Sequence, residues 1–189
     1  VKAVVDAYDG SVRLFRWDDQ DPILRTWEKI YPGSVEPVSA ISGDLMSHLR
    51  YPEDMFKVQR NLLATYHVTD AAGFYSGGDR WRLAEETSTH GAASSSDSST
   101  RVDEAGNPVP APTALQPPYY LTMQMPGQDS AEFSLTSVFV PGGGGEGRRE
   151  AMAGFLAVDS ETGNTPGQVR EGYGKLRLLA LPSSTTVPG

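Results

Sequence analysis

Apolar residues recur along this chain in two different periods, and the changes of period mark its elements. Val1–Tyr8 and Ser11–Trp17 carry strand-like patterns on either side of Asp9-Gly10, a strong hairpin signal. A two-residue turn would set Val5 opposite Leu14 and Val4 opposite Phe15, with Asp6 and Arg13 as a cross-strand ion pair. One face of the hairpin then holds Ala3, Val5, Ala7, Val12 and Leu14, and the other holds Val4, Tyr8, Phe15 and Trp17. Both faces are expected to be at least half buried.

The period then lengthens to that of a helix. Asp21 reads as an N-cap with Pro22 at the first helical position, and Ile23, Leu24, Trp27, Ile30 and Tyr31 form an apolar stripe that Pro32-Gly33 ends. Ser42 caps a second helix in which Ile41 staples onto Met46. The strongest pattern follows at Arg50-Tyr51-Pro52-Glu53-Asp54 and runs to Tyr66. Pro52 bars Tyr51 from helical backbone, and Glu53 and Asp54 face the positive end of the helix dipole. Met55, Phe56, Gln59, Leu62, Leu63 and Tyr66 make the apolar stripe, so Lys57, Arg60 and Asn61 are expected to face away. A short turn of helix over Asp70–Tyr75, capped by Thr69, precedes Gly77-Gly78.

Arg80–Leu83 reads as a short strand, after which the composition changes. From about residue 85 to 118 the chain is rich in Ser, Thr, Ala, Pro and Gly, too poor in large apolar residues to offset its own entropy, and reads as a flexible surface excursion. Period-two alternation returns at Tyr119–Met125 and Glu132–Val140, then at Ala151–Val158 and Leu176–Leu181. The expected architecture is α+β: antiparallel β-sheet, made of a C-terminal meander and the opening hairpin, which joins the same sheet or packs on it, together with three to four helices. With 189 residues, the chain is expected to form one domain, residues 1–189. Because Val1-Lys2-Ala3-Val4-Val5 is already a strand, the chain reads as a piece of a longer protein.

Composition narrows the chemistry. A net charge of −8 opposes nucleic acid and anionic membrane surfaces alike. With no cysteine there is no disulfide, thiolate zinc site or thiol nucleophile. The three histidines, His48, His67 and His90, share no element at metal-ligand spacing, and no serine sits in a nucleophile motif. Gly142, Gly144 and Gly147 match a phosphate-loop spacing, but the following residues lead into a strand rather than a helix. Asp6, Asp9, Asp18 and Asp19 are the candidate metal ligands, with turn chemistry and helix capping as their ordinary use. No catalytic set and no cofactor is legible. The candidate binding surface is Tyr51, Glu53, Asp54, Lys57 and Arg60, where charge stands beside an aromatic; the ordinary reading is a solvated helix face.

The run from Arg50 to Arg60 closely resembles the bacterial uncharacterised membrane protein family UPF0182. Val4–Gly10, Leu49–His67, Gln116–Gln128, Phe133–Val140, Phe155–Asp159 and Tyr173–Leu181 resemble the same family's segments, while the Ser-rich and Gly-rich stretches depart from it. The resemblance implies a large protein with several membrane spans and a big extracytoplasmic region, of which this chain is one piece on the outer side of the bacterial cell membrane. It brings no activity, cofactor or catalytic residue. Three readings stay open: a non-enzymatic binding or assembly module, a metal- or anion-dependent envelope hydrolase or transport-associated domain, and a purely structural piece of a larger assembly. The partners implied are the remainder of its own membrane-anchored chain and envelope components.

Overall fold

A computed structural model describes residues 1–86, 115–142 and 151–181. Among the described residues the fold is mixed α+β, with four α-helices and two sheets whose pairings, apart from one short parallel pair, are antiparallel; they include the opening hairpin and the C-terminal strands. The chain divides into two compact units, each built from two stretches of sequence. The first comprises Val1–Tyr51 and Ser160–Gly174, the second Pro52–Asp159 and Lys175–Gly189.

In the first unit, β1 (Lys2–Val5) and β2 (Val12–Arg16) form the expected antiparallel hairpin in a different register: Val5 pairs with Val12 and Val4 with Arg13. The loop spans residues 7–10 and is held by two side-chain turns, the Asp6 carboxylate accepting from Tyr8 N and the Asp9 carboxylate from Ser11 N, each at 2.8 Å. Because the slip is two residues, each side chain stays on its expected face. The predicted Asp6–Arg13 pair is lost, and Arg13 instead grips Glu36 with its Nε at 2.9 Å and Nη2 at 2.7 Å.

Glu36 lies on β3 (Glu36–Pro37), which runs parallel to β2. This closes a three-stranded sheet distinct from the one that the C-terminal strands form. Two residues including a proline carry no strand signal. A 3-10 turn (Val38–Ala40) leads to α2 (Gly43–His48), capped by Ser42 as predicted. Phe15, Ile41 and Met46 form a fully buried core, packed by Val4, Trp17, Val38, Leu45 and Leu49. The Ser160–Gly174 stretch completes it: the buried Thr162 hydroxyl donates to the Met46 carbonyl at the end of α2. Gly167, at φ +64°, lies so close to Ser39 that a Cβ there would stand 2.4 Å from its Cα.

In the second unit, β6 (Glu132–Pro141) is the spine. One of its edges pairs antiparallel with β5 (Tyr119–Met123) over its first half and with β4 (Trp81–Leu83) at its end. The other edge carries β7 (Gly154–Asp159), followed by β8 (Leu176–Ala180), so the predicted meander is present. Helix α3 (Glu53–Tyr66) packs on β4 and β6, and α4 (Ala71–Ser76) follows it. The cap of α4 is Asp70 rather than Thr69; its carboxylate accepts from Gly73 N at 2.6 Å. Most of the 85–118 excursion lies outside the described residues.

Helix α3 is rotated about one residue from the expected stripe. Phe56, Arg60 and Ala64 are buried, whereas Met55, Leu62 and Tyr66 are exposed. The strand beneath explains this. On β6, Leu135, Ser137 and Phe139 share a face by period two, and Ser137 is a buried hydroxyl in need of a partner. Arg60 supplies it, its Nη1 donating to Ser137 Oγ at 3.2 Å and to the Gln116 carbonyl at 2.9 Å.

Candidate functional site

Helix α1 (Pro22–Ile30) forms where predicted, its first turn closed by the Asp21 carboxylate, which accepts from Ile23 N and Leu24 N. Of its apolar stripe only Leu24 is buried. Ile23 is 69% exposed and Trp27 53%, with Ile30 and Tyr31 also exposed. The Trp27 and Tyr31 rings stack at 5.4 Å between centroids, 16° apart in plane, and form a flat apolar platform. Against it, Leu14 of β2 and Val35 close a groove of about 370 Å³. Its lining is almost wholly apolar; Asp21 and Ser34 are the polar residues at its wall. Val5 and Val12, on the Leu14 face of the hairpin, are exposed as well, so that face is not half buried as expected.

The second unit has a comparable feature. Met55, Val58, Leu62 and Tyr66 recur at three- and four-residue steps along α3, and all four are exposed. Tyr66 also stacks on Phe74, with ring centroids 5.8 Å apart.

The residues singled out from sequence are placed apart in character. Glu53, Asp54 and Lys57 are on the surface of α3, where Lys57 Nζ meets Glu53 Oε1 at 2.7 Å and Asp54 Oδ1 at 3.3 Å. The hydrogen bonds to Glu53 first, then Asp54, raise the Lys57 pKa above the ordinary lysine value. Arg60 is not on that surface: it is 6% exposed, burial lowers its pKa, and its Nε has no hydrogen-bond partner among the described residues. Tyr51 is buried too. Its N–H donates to the Ser160 carbonyl at 3.2 Å, its ring lies 5.8 Å from that of Tyr173, and Gly174 leaves room beside it. The exposed patch imagined around the start of α3 therefore reduces to Glu53, Asp54 and Lys57.

Of the candidate metal ligands, Asp6 and Asp9 hold the hairpin loop. Asp18 accepts from Gln20 N at 2.8 Å, and Asp19 lies 3.8 Å from Arg16. Among the described residues no group of three or more His, Asp or Glu side chains is placed to hold a metal ion.

A polar cluster that the sequence does not advertise lies in the second unit. Asp159, buried at the end of β7, accepts from Gln128 Nε2 at 3.0 Å and meets Arg177 Nη1 at 3.1 Å, while Ser134 Oγ stands 3.5 Å away. In sequence, Asp159 opens a turn-like run. Its only hint is that it ends an apolar strand in register with Ser134.

These features define a cysteine-free α+β protein with an apolar groove on its first unit. Among the described residues no helix is long and apolar enough to cross a membrane. The chain belongs to UPF0182, an uncharacterised protein family whose model matches residues 1–189. It is 51% identical to UPF0182 protein Lxx09300 of Leifsonia xyli subsp. xyli (strain CTCB07), covering 100% of this chain and 17% of that relative. It is also 51% identical to UPF0182 protein CMS1887 of Clavibacter sepedonicus, covering 18% of it. With UPF0182 protein TW644 of Tropheryma whipplei (strain TW08/27) the identity is 47%, over 19% of that relative. The chain thus spans less than a fifth of the length of these curated relatives. No solved structure matches it.

Proposed function

We propose that this chain is a non-enzymatic assembly module, a piece that completes a larger extracytoplasmic region of a membrane-anchored bacterial protein. The observation that carries the reading is the apolar stripe of α1, with Ile23, Trp27, Ile30 and Tyr31 in solvent beside an apolar groove. The stripe of α3 adds a second face of the same kind. Faces of this chemistry gain free energy only when another apolar surface covers them, at roughly 25 cal/mol per Å² of apolar area removed from water. The membrane anchor, assigned to residues outside 1–189, and the outer location both rest on the family resemblance.

The test is to place a charge on each face of the full-length protein, as Trp27→Glu and Leu62→Glu. Both positions are more than half exposed; Leu62→Glu should cost the local fold within about 0.5 kcal/mol, and Trp27→Glu about 0.5–1.5 kcal/mol for its lost stacking on Tyr31. The expected outcome is loss of the intact, protease-resistant full-length protein. Wild-type yield and protease resistance in both variants would refute an assembly role.

A further inference from the structure

We infer that the groove between α1 and the hairpin is the seat of an apolar segment of the same longer chain, drawn from outside residues 1–189. The inference deepens the assembly reading and rests on it. The groove holds about 370 Å³ and is walled by Leu14, Ile23, Leu24, Trp27, Tyr31 and Val35, a lining suited to a few aliphatic or aromatic side chains. That volume lies at the low end of the range for small-molecule pockets, and the groove lacks the convergent polar groups that orient a cofactor.

Two observations and the physics of tethering select the occupant. In the relatives, more than four fifths of the chain lies outside the matched region, so a large supply of covering segments is tethered to this one. A tethered segment meets its groove at an effective concentration on the order of millimolar, far above that of a separate partner. The net charge of −8 works against the competing occupants, because a second copy brings like charge onto like and an anionic lipid surface repels the whole chain.

Residues 1–189 contain no cysteine, so once any cysteines elsewhere in the full-length protein are replaced, thiols can be introduced here one at a time. Ile23→Cys reports the groove, Leu62→Cys the α3 face, and Tyr8→Cys a fully exposed loop. The thiol of Ile23→Cys is expected to react with a maleimide at least tenfold more slowly than that of Tyr8→Cys. Independently, a photo-crosslinking residue in place of Tyr31 is expected to form an intrachain bond to a peptide outside residues 1–189. Equal rates at positions 23 and 8 overturn the inference, as do a crosslinked product of dimer mass or a lipid adduct. If position 23 reacts freely while position 62 is protected, the groove proposal fails and the assembly reading survives. Free reaction at both sinks the two together.

Discussion

Removing the Asp159 carboxylate should damage this protein more than any change to its surface charges. In Asp159→Ala the Arg177 guanidinium, with 18% of its side chain exposed, keeps its charge and loses its counter-ion. Gln128 Nε2 loses its acceptor at the same time. Breaking a buried pair from one side costs about 3–5 kcal/mol, because an uncompensated charge stays in a poorly solvated place. Against a total stability of about 5–15 kcal/mol, that is a large fraction. For a chain of this length each kcal/mol moves Tm by about 2–4 °C, which gives a fall on the order of 10 °C. Urea unfolding measures the loss directly, and Glu53→Ala is the control: its pair with Lys57 is on the solvent-screened helix surface, so the urea midpoint should barely move. The double variant Asp159→Ala with Arg177→Met removes both charges and should be less destabilised than the two single changes summed, by at least about 1 kcal/mol. A loss under about 1 kcal/mol in Asp159→Ala, or strict additivity in the double variant, would refute the reasoning.

Other outcomes follow from the packing. Phe56→Ala should cost about 3–5 kcal/mol and Met55→Ala under about 0.5, since the first is wholly buried and the second 54% exposed; comparable losses in urea would mean that α3 is not rotated as described. In Gly154→Ala the new methyl would stand 2.6 Å from the Trp81 ring, so overpacking should cost about 1–3 kcal/mol, and Trp81→Leu in the same chain should recover part of it. The hydrogen bond from Arg13 lowers the Glu36 pKa below its ordinary 4.5. That pair therefore adds stability above pH 4.5 that is lost as pH falls through the lower folded value. Glu36→Gln should flatten the acid limb of a stability-versus-pH curve, and an unchanged limb would count against the pair.

Elements whose signals are local were legible in the sequence. The caps at Asp21 and Ser42, the Pro22 start of α1 and the alternation of the C-terminal strands all act within a few residues, and each stands where it was expected. What depended on distant partners was not. Asp9-Gly10 announces a hairpin but cannot say that the Asp6 and Asp9 side chains will stabilise a four-residue loop and shift the register. The period of α3 defines a stripe, yet the Ser137 hydroxyl draws Arg60 inward and rotates the helix. The stripe of α1 carries the same ambiguity in stronger form. Periodicity shows that Trp27 and Ile23 seek an apolar partner, and it is silent on whether that partner lies within these 189 residues. The candidate surface at Tyr51 and Arg60 failed for a related reason: exposure was inferred from polarity, while both side chains find partners inside their own units.

The division of the first unit between Val1–Tyr51 and Ser160–Gly174 has a consequence for the order of events during synthesis. More than a hundred residues must be added after Tyr51 before Thr162 can reach the end of α2. At roughly 5–20 residues per second, the hairpin and the first two helices wait on the order of ten seconds for their missing part. Through that interval the Met46 carbonyl lacks the Thr162 hydroxyl that the late segment supplies, and the opening strands are exposed to wrong pairings. A truncation after Tyr51 would make that waiting state permanent. The two units therefore cannot be separated by one cut: a break after Tyr51 leaves the first unit incomplete and strands Ser160–Gly174 within the piece that carries the second.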